Sequence, residues 1–274
     1  MISNVARVLL MQCAALDGAG WSYDAGGGGS FDSNLNIATQ DGEAEAAFRL
    51  DLWGSIGGWI DLTPDLDLEL YAEIGRTEWL GFSDLSAFQL GLGPSLSWWV
   101  GNGTTLRLGA YGGWSFFGDP ERNGPNLRPN LAIRQRLLAG LSLEARVGLR
   151  WRGAIEPIYA EESFQSGLRL NWATTDARWA VWLGYLFDLG QYVVYQTTAP
   201  TAQSTQSTRG RKVRVFSDTE AVSETGQIHT ISFDGEVRIW EPLIVGAGWN
   251  ASWIGTPDGT AFGHGPFLAI SFRG

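Results

Sequence analysis

The feature that most constrains this chain is a two-residue alternation of apolar and polar side chains, renewed over long segments with almost no helical period between them. Leu66, Leu68, Leu70, Ala72 and Ile74 interleave with Asp65, Asp67, Glu69, Tyr71 and Glu73. Successive side chains of a strand point to opposite faces, so one face here is apolar and the other acidic. Leu141, Leu143, Ala145, Val147, Leu149 and Trp151 interleave with Ser142, Glu144, Arg146, Gly148, Arg150 and Arg152, and the second face is now mainly basic. The rule predicts strands at 44–61, 65–80, 84–100, 104–117, 126–138, 141–156, 163–173, 178–196, 226–240, 243–254 and 261–273. A weaker segment sets Phe31, Leu35 and Ile37 against Asp32, Asn34 and Asn36 and brings the count to twelve. Several segments exceed the roughly five or six residues usual in soluble sheets and reach the roughly 9 to 11 that carry a tilted strand across a bilayer.

Composition points the same way. Glycine supplies 37 of 274 residues, with 14 Trp, 13 Phe and 7 Tyr, a mixture that suits pleated surfaces and disfavours helix bundles. Charged residues make up only 18%, against about 25% in ordinary globular domains, so something other than charge covers much of the surface. A single cysteine, Cys13, excludes an internal disulfide and any site with two thiolates, and His229 and His264 are the only histidines. No metal or cofactor is expected. A net charge of −10 argues against a nucleic-acid partner, which would need a basic face. Of the 19 cationic residues only Lys212 is a lysine. Arginine stays charged and orders itself in a confined polar space by bidentate pairing, although GC-rich codon usage would give the same skew.

No stretch reaches the roughly 18 apolar residues of a membrane-spanning helix. Val8 to Leu16, after Arg7, has the size of the hydrophobic part of an export signal. Residues 1–30 are read as a signal-like or flexible N-terminal segment, ending in the glycine linker Tyr23-Asp24-Ala25-Gly26-Gly27-Gly28-Gly29-Ser30. Residues 31–274 form the strand domain.

Connections sort by length. Leu62-Thr63-Pro64, Gly101-Asn102-Gly103, Ala139-Gly140, Thr174 to Ala177 and Glu241-Pro242 are short and fall on one side of the strand array. The joins near 40–43, 81–83, 118–125, 157–162, 197–225 and 255–260 fall on the other, and every long one is among them. A soluble β-sandwich, the alternative fold, has no reason to sort loops this way. Aromatic residues form two girdles on the apolar faces: Trp98, Trp172 and Trp179 near the short turns, and Trp114, Phe116, Trp151, Phe164, Phe187, Trp249, Trp253 and Phe262 near the long loops. Such rings prefer a membrane–water interface.

In these respects, and in the aromatic Phe272 on the last strand, the sequence resembles the outer-membrane β-barrel proteins of Gram-negative bacteria, porin-like in architecture without the motif of any one family. The resemblance covers about residues 30–273 and implies an all-β, antiparallel up-and-down transmembrane barrel of about twelve strands. Its partners would be the lipid bilayer, lipopolysaccharide and small solutes, with a homo-oligomer or protein partner left open. Arg273 and Gly274 after Phe272 depart from the pattern.

If the apolar faces meet lipid, the opposite faces line a lumen. Asp51, Asp67, Glu69 and Glu73 come from the second and third strands, and Arg128, Arg134, Arg136, Arg146, Arg150, Arg152 and Arg169 from the sixth to eighth. The expectation is an acidic wall facing a basic wall across a narrow aqueous lumen, the arrangement of a passive diffusion channel. A plugged structural or interaction barrel, filled by arginine–carboxylate pairs, is the first alternative. The long external segment 197–225 carries a basic cluster, Arg209, Arg211, Lys212 and Arg214, read as solvated or touching an anion. A rim enzyme is the second alternative. His229 and Ser232, three apart on a strand, point to opposite faces, and His264 shares the parity of Phe262 and Leu268, so no catalytic constellation is complete.

Overall fold

In the computed structural model, which describes residues 19–34, 46–197, 219–257 and 259–274, alternation becomes a single antiparallel sheet closed on itself. Its strands are β1 (Ala19–Asp32), β2 (Ala47–Thr63), β3 (Leu66–Trp79), β4 (Ala87–Trp99), β5 (Thr104–Gly109), β6 (Gly112–Phe117), β7 (Gly124–Leu127), β8 (Asn130–Leu138), β9 (Leu141–Arg152), β10 (Glu161–Ala173), β11 (Trp179–Thr197), β12 (Thr219–Trp240), β13 (Leu243–Thr256) and β14 (Gly259–Arg273). β5 continues into β6, and β7 into β8, in unbroken register, since β4 pairs with both halves of the first and the second pairs with both β5 and β6. The fourteen strands therefore make twelve crossings. The two interruptions lie level with each other at Pro94 and Pro129, whose ring nitrogens cannot donate to the ladder; Ala110 still donates to the Pro94 carbonyl, and Leu149 to that of Pro129, both at 3.0 Å.

Closure is made by β1 and β14, paired from Asp24 with Arg273 to Ser30 with Phe267. The first strand thus lies at Ala19–Asp32, and its glycine tract, expected as a linker, is wall. The physical reason is visible in what a side chain there would strike. A Cβ on Gly26 would meet the Trp53 ring at 2.6 Å and the Ile270 carbonyl oxygen at 2.5 Å, and a Cβ on Gly20 would meet the Trp59 ring at 2.2 Å. These indoles fold inward over the glycines, so the bulk that marks a strand is supplied by its neighbour. The expected pattern at 35–37 and the residues 1–18 lie outside the described residues.

Elsewhere the strands match the sequence expectation to within a few residues. β12 is the exception: it begins at Thr219, seven residues before the predicted start, so the external segment expected at 197–225 narrows from its C-terminal side. The exposed face carries the predicted apolar residues, including Leu70, Ile74, Leu92, Leu108, Leu149, Leu168 and Ile270, between the two aromatic girdles. Trp21, 78% exposed, and Trp240 join the girdle at the short-turn end. Among the described residues no helix is long and apolar enough to span a membrane; the crossing elements are strands.

The glycine wall makes a testable asymmetry. Gly26→Val, facing Trp53, should destabilise the barrel by about 1–3 kcal/mol through overpacking, seen as a lower temperature for loss of the compact, heat-modifiable electrophoretic form. Gly29→Ala, whose Cβ would meet Leu50 at an ordinary 3.7 Å, should leave that temperature unchanged.

Candidate functional site

Strand register decides which charges face one another inside the ring. Asp51, Asp67, Glu69 and Glu73 stand on the inner face of β2 and β3, and Arg128, Arg134, Arg136, Arg146, Arg150, Arg152 and Arg169 on the inner face of the sixth to eighth crossings. Arg209, Arg211, Lys212 and Arg214 lie outside the described residues.

Both walls carry charges of both signs, beyond the single Glu144 that the sequence placed on the mainly basic face. Glu144 stands directly between Arg134 and Arg169 across three strands. At the long-loop end Arg152 donates to Glu161 at 2.8 Å and to the Tyr159 carbonyl at 3.2 Å. Arg150 lies 3.7 Å from Glu161 and 3.8 Å from Asp188. Asp188 is wholly buried and accepts from Gln165 and the Tyr192 hydroxyl, each at 2.6 Å. On the acidic side Asp51 accepts from Arg49 at 2.9 Å and from Thr77 at 2.8 Å. The cause is general: charges brought together in a confined space of reduced dielectric need opposite charges beside them. Asp188 was legible as inward-facing from its parity with Gly184, whereas Glu161 fell in the join expected at 157–162 and is placed by a strand that begins two residues earlier. What the sequence withheld was the register that sets them against Arg150 and Arg152.

Aromatic rings back several of these guanidinium groups. Arg169 lies 4.9 Å from the centre of the Trp182 ring, Arg152 5.0 Å from Phe117, and Arg128 5.4 Å from Tyr111. Tyr111 in turn stacks on Tyr71, with centroids 6.5 Å apart and planes within 14°. Gly91, Gly93 and Gly113 make room for these phenols, since a Cβ on any of them would approach a tyrosine ring or hydroxyl within 3 Å.

Beyond the long-loop rim the chain continues hydrogen bonding. Gly118 and Asp119 donate to Ser86 and Asp84, while Ile155 and Glu156 donate to Asn123 and Glu121, which ties three loops into one layer. Inside it Asp119 and Arg122 form a buried pair at 3.5 Å, with the guanidinium 4.3 Å from the Tyr159 ring. Burial pushes the Tyr159 phenol above its ordinary range.

At the opposite end Arg273 fastens the seam. It reaches Asp24 at 3.3 Å and Glu236 at 3.1 Å, linking β14 to β1 and β12, and all three side chains are largely buried. The parity expected of the histidines holds in the structure. His229 sits on the outer face, its Nδ1 2.8 Å from the Tyr185 hydroxyl, opposite Phe187 and Trp253, while Ser232 faces inward opposite Gly184. His264 packs against Trp249 and Phe262 on the outer face.

No protein-family model and no curated protein matches the chain. Solved structures do match in fold. An outer-membrane channel from Pseudomonas putida F1 superposes with a TM-score of 0.61 at 10% sequence identity, covering 95% of this chain and 97% of that one. The NanC porin superposes with a TM-score of 0.50 at 8% identity, covering 91% of this chain and 98% of that one. The likeness is one of fold: the chain is a closed antiparallel β-barrel of the outer-membrane type.

The seam gives a second prediction. Arg273→Met leaves the buried Asp24 and Glu236 carboxylates uncompensated and should cost about 3 kcal/mol of stability, measured as a lower urea midpoint for unfolding from detergent or lipid. Arg238→Met, whose partner Glu241 is exposed, should change the midpoint little.

Proposed function

We propose that the protein is a passive channel of a bacterial outer membrane, admitting small polar or charged solutes through a lumen that sorts them by width and by charge. The observation that carries this reading is the inverted distribution of side chains: apolar residues cover the outside of a closed barrel, and ionisable ones line its inside. Twelve strands spaced by about 4.8 Å and tilted by about 40° enclose a ring roughly 24 Å across at the backbone. Opposed layers of side chains take up much of that width, so the residues at each level decide what passes.

The same residues supply a mechanism without covalent chemistry. A solute leaving water gives up part of its hydration shell and is compensated by lumen charges and hydroxyls. Carboxylates of β2 and β3 and arginines of β8 to β10 lie far apart around the ring, so a transverse field crosses the lumen and orients dipolar solutes. Apolar solutes gain nothing from that field and lose nothing by staying outside. Lumen side chains such as Arg150 and Glu161 keep about a fifth of their surface accessible, which supports a wet interior.

A plugged structural barrel remains a second reading, favoured by one observation: the pairs at the long-loop end, with Asp188 enclosed and Asp119–Arg122 sealed against Tyr159, are dense. A rim hydrolase gains no such support, because His229 meets Tyr185 on the outer face and Ser232 stands on the inner one.

Single-channel recording in a planar bilayer under a salt gradient separates the two. The channel reading expects steady conductance with a measurable reversal potential, and a folded but silent barrel would overturn it in favour of the plugged one. In a conducting barrel the triple variant Arg134→Gln, Arg146→Gln, Arg169→Gln should move the anion-to-cation permeability ratio toward cations by about twofold or more. An unchanged reversal potential would remove the basic wall from the selectivity mechanism.

A further inference from the structure

Arg128 is the anomaly of the lumen. Leu127 pairs with Trp151 and Asn130 with Gly148, which sets Arg128 directly across from Arg150. Like charges in that position repel, and such pairs persist where something negative lies between or beside them. Arg150 has its compensation in Glu161 and Asp188. Arg128 has no ion pair of that kind: among the described residues no carboxylate lies within ion-pairing distance of it, Glu161 acts on it only from beyond that distance, and its guanidinium lies 5.4 Å from the Tyr111 ring. Its Nε is enclosed without a hydrogen-bond partner, and so are the Nε atoms of Arg150 and Arg152.

These three arginines face two carboxylates, Glu161 and Asp188, so the cluster keeps one positive charge. The adjoining Asp119–Arg122 pair is neutral in sum. The residual charge is on the inner wall in the half of the lumen nearer the long loops, at a partly exposed side chain. A guanidinium offers a planar fork of donors that matches a carboxylate in shape as well as in sign. One uncompensated positive charge matches one negative charge, and a doubly charged anion would overshoot it.

We propose that Arg128 and Arg150 form a binding subsite for the carboxylate of a small organic monoanion on its way through the barrel. This rests on the channel reading for its purpose but not for its chemistry. The carboxylate would sit between the two guanidinium groups, taking donors from Arg128 and relieving the repulsion between them. Tyr111, lying against glycines, holds the Arg128 side chain from the opposite flank. Selection among anions then comes from geometry: chloride carries the charge but cannot span two forks.

The test is equilibrium binding to the full chain folded in detergent micelles, followed by line broadening of ¹³C-labelled acetate at constant ionic strength. The wild-type protein should broaden the carboxyl resonance saturably, with sodium chloride competing at least about tenfold more weakly than unlabelled acetate. Arg128→Gln should weaken acetate binding about tenfold or more, while Arg128→Lys, which keeps the charge but not the fork, should fall between. Absence of saturable broadening by the wild type, equal competition by chloride, or unchanged binding in Arg128→Gln would each overturn the subsite. The wild-type competition decides the matter even if Arg128→Gln does not fold. Conductance is read separately: a silent barrel that binds acetate would defeat the channel reading alone, and a conducting barrel that does not would defeat the subsite alone.

Discussion

Every backbone N–H and C=O within a bilayer must find a partner in the protein, and this requirement governs the whole structure. An open sheet leaves an unpaired edge, so the sheet must close, and closure falls to a first strand that carries the four-glycine run Gly26–Gly29. Glycine is a weak strand former in isolation. Here it is held on both sides by long ladders, and it leaves space that the Trp53 and Trp59 rings occupy from within. The seam is reinforced electrostatically at the short-turn end by Arg273, which ties three strands together through two carboxylates. Backbone pairing, glycine sterics and a buried ion triad thus act on one strand boundary.

The inside of the ring obeys a different constraint. Twelve strands enclose too little space for long charged side chains to ignore one another, and too much for a dry apolar core to fill. Arginine and carboxylate therefore alternate along part of the wall, as in the Arg134, Glu144 and Arg169 row. Aromatic rings stand behind guanidinium groups as well: Tyr111 behind Arg128, and Trp182 behind Arg169, which also meets Glu144. The outcome is a lumen whose net field is weaker than the count of arginines suggests and more finely structured.

Much of this was legible in the residue order because the period of a strand is two. Alternation over 65–80 and 141–156 told lipid side from lumen side for every charge named there, and loop lengths told one rim from the other. Three things were not legible. The glycine tract carries no alternation, since its bulk is contributed by tryptophans on β2, which sequence distance conceals. The pairing of Arg150 with Asp188 spans 38 positions and depends on register across two ladders, which alternation leaves free. The continuation of β12 back to Thr219 runs through polar residues, where the apolar signal has already faded.

The same register explains why neutralisation is uneven along the wall. Each inner residue meets two cross-strand neighbours, and chain order determines whether they are acids. Arg152 meets Glu161 on one side, and Arg169 meets Glu144. Arg146 meets Ala132 and Gly167, and Arg128 meets Tyr111 and Arg150. Positions of the second kind retain their charge toward the lumen, while those of the first kind spend it on the wall itself. A barrel can therefore keep wall-paired arginines and lumen-facing arginines on the same strand, as Arg152 and Arg146 are on β9, with no difference between them that the alternation reveals.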